Sequence, residues 1–291
     1  KINKRFKDFP LPKTKIINLN FNSVKSKFIA TETINLVKKF LDKKEQVLFF
    51  LNRRGFAPYL ICKKCGYKNI CPSCSMYLTF HKIKNKVICH HCSHEKNIKL
   101  KCKKENFCDF VMYGPGIEKV FEEVKSLFPN KKISIFSSDY MKKKEQVNNL
   151  FREINENKVD ILVGTQMVSK GFNFPKLNCI VVIDADFSGR GFDLRTTEKN
   201  IQLYHQLSGR AGRFSSDSLI IYQTLSPENI TLNEIIKNRS EELLRNELIL
   251  RKKNKLPPFV RLISIIISSK KHDLSLRGAK EIKSKLSQIN D

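Results

Sequence analysis

The sequence predicts a parallel, doubly wound α/β domain with a cysteine-rich module set into one loop and a small, incomplete α+β domain at its carboxyl-terminal end. Three observations predict it. Short apolar strands alternate with amphipathic helices over most of the chain, the pattern of a parallel sheet covered on both faces. Eight of the nine cysteines crowd into residues 62–108, just after the first of those strands. From about Pro227 the alternation gives way to a long charged helix, the pair Pro257-Pro258 and one further strand–helix unit.

Residues 1–24 carry Pro10 and Pro12 in a basic context and read as a linker from a preceding, absent domain. The expected α/β domain occupies 25–61 and 110–226, the insertion 62–109 and the last domain 227–291. Ile34, Val37, Phe40 and Leu41 recur at helical spacing, so 29–43 is an expected amphipathic helix. Val47–Leu51 is a wholly apolar strand that runs out into Asn52-Arg53-Arg54-Gly55, and the carboxyl ends of such strands are where α/β sheets place ligands. Beyond the cysteines, Gly114-Pro115-Gly116 opens a helix with Val120, Phe121, Val124, Leu127 and Phe128 on one face. Ile133–Phe136 is the next strand, and 141–157 a helix with Val147, Leu150, Phe151 and Ile154 aligned. Asp160–Val163 and Cys179–Ile183 are strands, Glu198–Leu207 a helix and Leu219–Tyr222 the closing strand, with Cys179 a core residue. In the last domain Leu262–Ile267 reads as a strand, followed by a helix through Ala279, Ile282 and Leu286.

The cysteines read Cys62-x2-Cys65-x5-Cys71-x2-Cys74, then Cys89-x2-Cys92, then Cys102 and Cys108. A two-residue spacing lets both thiolates of a turn face one ion, and four such sulfurs satisfy tetrahedral zinc. The residues between Met76 and Ile88 form two strand-like runs around Lys84-Asn85-Lys86, an expected hairpin that brings Cys71 and Cys74 to Cys89 and Cys92 as an inner zinc site. The outer residues Cys62, Cys65 and Cys102 are left to form a second site. Cys108 is the candidate fourth ligand, and Glu105 the alternative, because a two-residue turn from Cys102 ends on that carboxylate. With no apolar leader among the first residues, such repeats read as metal sites and not disulfides. His81, His90, His91 and His94 are then surface neighbours of sulfur-complete sites.

Fifty-five Lys plus Arg against 28 Asp plus Glu give a net charge of +27, which points to a polyanionic partner such as nucleic acid. No apolar run reaches the ~20 residues of a membrane span, so a soluble, cytoplasmic protein is expected. The first residue is lysine, and the expectation is a fragment or a processed product.

Two stretches carry chemistry. Gln206-x2-Gly209-Arg210-x-Gly212-Arg213 puts two arginines three apart on a glycine-bent turn, so that two planar guanidinium forks can meet phosphate oxygens. In Gly164-Thr165-Gln166-x3-Lys170-Gly171 a strand exit supplies amides, a hydroxyl and a charge suited to a nucleic-acid phosphate or a nucleotide edge. Asp184, after the strand Ile180–Ile183, looks like a magnesium-binding aspartate, but the chain has no Gly-Lys dipeptide and so no phosphate-cradling loop. Alone it is expected not to hydrolyse ATP.

In this order, these stretches resemble the second, RecA-like motor lobe of superfamily 2 DNA helicases, and more narrowly the primosomal replication-restart helicases. The resemblance runs through Leu51-Asn-Arg-Arg-Gly-Phe-Ala-Pro58, the cysteine block, Gly114-x-Gly116-x-Glu118, Gly164 to Gly171, Asp193-x-Arg195-x2-Glu198, Gln206 to Arg213 and Pro257-Pro258-Phe259. It implies ATP-driven 3′ to 5′ unwinding at stalled forks and recombination loops, followed by loading of the replicative helicase. Arg210, Arg213 and Gln206 would then act on ATP and Mg2+ held by a first lobe, with Arg53, Arg54, Gly164, Thr165, Gln166, Lys170 and Gly171 coupling that cleft to DNA. The implied partners are branched and single-stranded DNA, single-stranded DNA-binding protein and other primosome proteins. Three positions depart from the family pattern: Glu105 replaces a cysteine, Asn106 a glycine and Ile117 a threonine. The reading from another class is a stand-alone zinc-containing DNA-binding or scaffold protein without ATPase activity.

Overall fold

The computed structural model describes residues 9–19, 28–52, 59–62, 71–72, 78–81, 86–88, 94–97, 110–113, 116–137, 140–141, 143–165, 174–185, 195–225, 227–237, 239–263, 265, 267, 269 and 272–289. Its main sheet has six parallel strands in the order β1-β11-β10-β2-β9-β8. In chain order these are β1 (Lys13–Asn18), β2 (Gln46–Phe50), β8 (Ile133–Phe136), β9 (Ile161–Gly164), β10 (Leu177–Val182) and β11 (Leu219–Thr224). The central strands are buried on both faces, which is why they read as unbroken apolar runs. Their side chains alternate between two layers. Val47, Phe49, Val163, Val181 and Ile221 pack with Val37, Phe40 and Leu41 of α1 (Thr31–Asp42) and Val120 and Val124 of α2 (Ile117–Leu127). Tyr222 of the other face meets Tyr204 of α4 (Thr196–Ser208) at 5.2 Å between ring centroids, and Phe136 meets Phe151 of α3 (Lys144–Asn155) at 5.3 Å.

A buried glutamine ties the entry of α1 to the sheet. Gln223 of β11 accepts from the Ala30 amide at 2.9 Å and the Thr33 hydroxyl at 2.7 Å, and donates to the Phe28 carbonyl at 2.9 Å. The Glu123 carboxylate of α2 accepts from the Phe28 and Ile29 amides. These two side chains do for the start of α1 what a local cap does elsewhere, since Ala30 has no side chain to offer.

Three expected boundaries are corrected. Within the expected linker 1–24, Lys13–Asn18 is β1, the edge strand beside β11, with Ile17 4% exposed, Lys13 exposed and Lys15 half-buried and paired with Glu32. The charges that made the segment look like a linker are those that guard a sheet edge. The insertion is wider than 62–109. Its antiparallel sheet, ordered β6-β5-β4-β3-β7, includes β3 (Tyr59–Cys62) and β7 (Phe110–Tyr113), which pair Tyr59 with Tyr113 and Cys62 with Phe110. Between them lie β4 (Thr79–His81), β5 (Lys86–Ile88) and β6 (Glu95–Asn97). The chain divides after Ser240 and not after 226, because Leu232 and Ile235 of α5 (Ile230–Ile236) are buried in the first unit.

The second unit, Glu241–Asp291, contains α7 (His272–Leu286) and nearly all of α6 (Ser240–Lys253). Among the described residues of the expected strand 262–267 no strand pairing forms, and Leu262, Ile263 and Ile265 are exposed. None of the described helices is long and apolar enough to cross a membrane.

Candidate functional site

The carboxyl edge of the main sheet gathers one group of the expected residues. Phe50 of β2 and Gly164 of β9 are register partners, the Leu51 amide donates to the Gly164 carbonyl at 2.9 Å, and the Thr165 amide donates to Phe136 at 3.3 Å. Gly164 and Thr165 therefore lie between the exits of β2 and β8, with Asn52 beside them. Thr165 itself is only 6% exposed. Arg53, Arg54, Gln166, Lys170 and Gly171 lie outside the described residues.

The arginine turn lies at the other end of the sheet. Helix α4 runs back from Tyr204, whose hydroxyl donates to Ala185 just past β10 at 3.4 Å, over about 1.5 Å per residue. It ends in Gly209–Arg213, where the Gly212 amide donates to the carbonyl of Leu177, the first residue of β10, at 3.0 Å. The strand exits and the arginines thus occupy opposite edges of one sheet. Gln206 and Arg213 are exposed, and Arg210 is half-buried. The Arg213 Nε donates to the Gly209 carbonyl at 2.9 Å, which folds its guanidinium over the turn. Burial, and then the neighbouring Arg213 charge, lower the Arg210 pKa from its ordinary value. Two fixed positive charges so close together suit an oxyanion such as a phosphate.

Gly212 is indispensable to this turn. Its φ is +64°, and a Cβ there would sit 2.6 Å from the Ser218 Cβ and closer still to that hydroxyl. Gly212→Ala is expected to cost about 2–4 kcal/mol from left-handed strain and overpacking, read as a lower urea midpoint. The anchors Leu177 and Ser218 had no local sequence mark, since only the fold places them beside Gly212.

The cysteine module gives two described ligand candidates, Cys62 and Cys71, both almost wholly buried and neither in a disulfide. Hairpin β4–β5 forms as expected, with Thr79 opposite Ile88. In sequence the hairpin lies between Cys71 and Cys89. Cys62 pairs with Phe110 where β3 and β7 meet. Backbone topology and buried thiols fit zinc. Cys65, Cys74, Cys89, Cys92, Cys102, Glu105 and Cys108 lie outside the described residues.

Residues 84–215, which hold β8, β9, β10 and the arginine turn, match the family described as the helicase conserved C-terminal domain. Residues 71–96 match the PriA DNA helicase Cys-rich region, a zinc ribbon. Replication restart protein PriA of Rickettsia conorii is 38% identical over 281 residues, 96% of this chain and 43% of that protein. Its counterpart from Borreliella burgdorferi is 36% identical over 270 residues, 92% of this chain and 40% of that protein. Among solved structures, RecG bound to a three-way DNA junction aligns with 97% of this chain and 26% of its own, at 13% identity and a TM-score of 0.46. The chain belongs to the replication restart protein PriA family, and spans about two fifths of the length of the curated relatives it matches.

Proposed function

We propose that this chain is the carboxyl-terminal part of an ATP-dependent 3′ to 5′ DNA helicase that recognises stalled forks or recombination loops and starts primosome assembly. The observation that carries the reading is the position of the zinc ribbon, between β2 and the later strands and helices of a helicase lobe. Arg210 and Arg213, with Gln206 beside them, present positive charge to the phosphates of a nucleotide held with Mg2+ by a first lobe. At the opposite edge Gly164, Thr165, Gln166, Lys170, Gly171, Arg53 and Arg54 engage the DNA strand, so that changes in the nucleotide cleft pass through one rigid sheet. Cys71, Cys74, Cys89 and Cys92 hold one zinc, and Cys62, Cys65, Cys102 and Cys108 or Glu105 a second. Each ion closes a structural site that the short strands of the module cannot replace. Branched and single-stranded DNA are the ligands. Single-stranded DNA-binding protein and other primosome proteins in the cytoplasm are the partners.

The test compares this chain with the longer protein that carries it behind a first lobe. The longer protein is expected to hydrolyse ATP when given a fork and to displace a strand from it. This chain alone is expected to bind forks without turnover, with an affinity that falls steeply with salt. Tight fork binding by the longer protein without any ATP hydrolysis would replace the helicase with a DNA-binding scaffold.

A further inference from the structure

The arginine turn is held by residues that belong to no helicase motif described above. Its anchor, the Leu177 carbonyl, sits at a bulge, where β10 pairs Leu177 with Gln46 and Cys179 with Val47 and so leaves Asn178 as the extra residue. Asparagine is a poor strand former, yet Asn178 is only 5% exposed within a strand whose remaining members are fully buried and mostly apolar. Its carboxamide donates to the carboxylate of Glu45, in the turn between α1 and β2. Burial raises the Glu45 pKa, and the Asn178 donor opposes that rise. The other two oxygens of this pair, Glu45 Oε2 and Asn178 Oδ1, are buried without a hydrogen-bond partner. For folding alone an apolar residue at 178 would serve better, because unmet buried acceptors are costly. Departures of this kind concentrate at functional sites, and bulges commonly re-aim groups beside them.

We propose that Asn178 and Glu45 are positioning residues for the arginine pair. Their hydrogen bond fixes the bulge, the bulge aims the Leu177 carbonyl at the Gly212 amide, and that bond sets the turn from which Arg210 and Arg213 project. A second tie runs from the same α1–β2 turn. Lys43 pairs with Asp217 at 2.6 Å, and Asp217 is next to Ser218, against which Gly212 packs. The arginine turn is therefore gripped from Leu177 on one side and from Ser218 on the other.

Two measurements test this, and only the second rests on the helicase reading. In this chain, Asn178→Val is expected to speed hydrogen exchange at the Gly212 amide while Ile180, Val181 and Ile221 keep their protection. In the longer protein, Asn178→Val and Glu45→Ala are expected to lower kcat for fork-stimulated ATP hydrolysis by roughly 10- to 100-fold, with KM for ATP and Kd for DNA unchanged. Glu45→Gln, whose amide oxygen still accepts from Asn178, is expected to keep kcat near wild type. Unchanged exchange at Gly212 in a folded Asn178→Val chain overturns the proposal, as does an equal loss of kcat in Glu45→Gln and Glu45→Ala. If the wild-type longer protein shows no turnover, the helicase reading fails, and the exchange measurement alone decides the positioning role.

Discussion

Arg213→Ala, made in the longer protein that carries this chain, is expected to lower fork-stimulated ATP hydrolysis about 10³-fold or more while leaving its melting temperature and DNA affinity near wild type. The size follows from what an arginine finger does: it meets charge that builds on the phosphates only as the bond breaks, and removing one costs about 10³- to 10⁵-fold. The small effect on stability follows from its surroundings. Arg213 is exposed, and its Nε donates to the Gly209 carbonyl within its own turn, across four residues. Arg213→Lys should fall nearly as far, because an ammonium on a flexible stem lacks the planar fork. Steady-state ATPase over a DNA titration, run beside thermal unfolding, makes the check. Turnover within a few-fold of wild type would remove Arg213 from the nucleotide site.

Cys71→Ser, or removal of zinc by a chelator, is expected to unfold the inserted module and leave the six-stranded sheet intact. Structural zinc contributes about 10–16 kcal/mol to small zinc-dependent folds, and little else here can replace it. Strands β4, β5 and β6 are three residues each and, among the described residues, pair with one another and with β3, too little buried area to stand without a staple. The main sheet has its own core of Val47, Phe49, Val163 and Val181, which includes neither Cys62 nor Cys71, the described cysteines of the module. Hydrogen exchange separates the outcomes: amides of Phe80 and Val87 should lose protection while those of Leu48 and Ile180 keep it. Loss at both places would make the module part of the lobe's core.

The parallel sheet and its helices were legible because burial on both faces leaves unbroken runs such as Val47–Leu51 and Ile180–Ile183, and because α1, α2 and α3 each show one apolar face. β1 was not legible. An edge strand needs only a short apolar core, here Ile16 and Ile17, and its lysines carry the mark of a linker. The strands Tyr59–Cys62 and Phe110–Tyr113 escaped for a different reason: each makes sense only against its partner across the whole cysteine block. In the site, Arg210 and Arg213 announce themselves by spacing. Asn178 and Glu45 do not, since a buried asparagine in a strand looks like a flaw until the Gly212 amide is seen beside its neighbour's carbonyl. That the strand exits and the arginine turn lie at opposite edges follows from the direction of α4, which no local motif encodes.

The pairing of Tyr59 with Tyr113 also bears on how such a protein could arise. The chain leaves the lobe and returns to it on adjacent antiparallel strands, so the module's two attachment points lie one strand spacing apart, about 5 Å. A hairpin turn could close that gap if everything beyond it were lost, and a larger ribbon could grow from it without stretching the lobe. The ribbon is in this sense a graft on a narrow pedicle, free to change in length while the parallel sheet beneath keeps its shape.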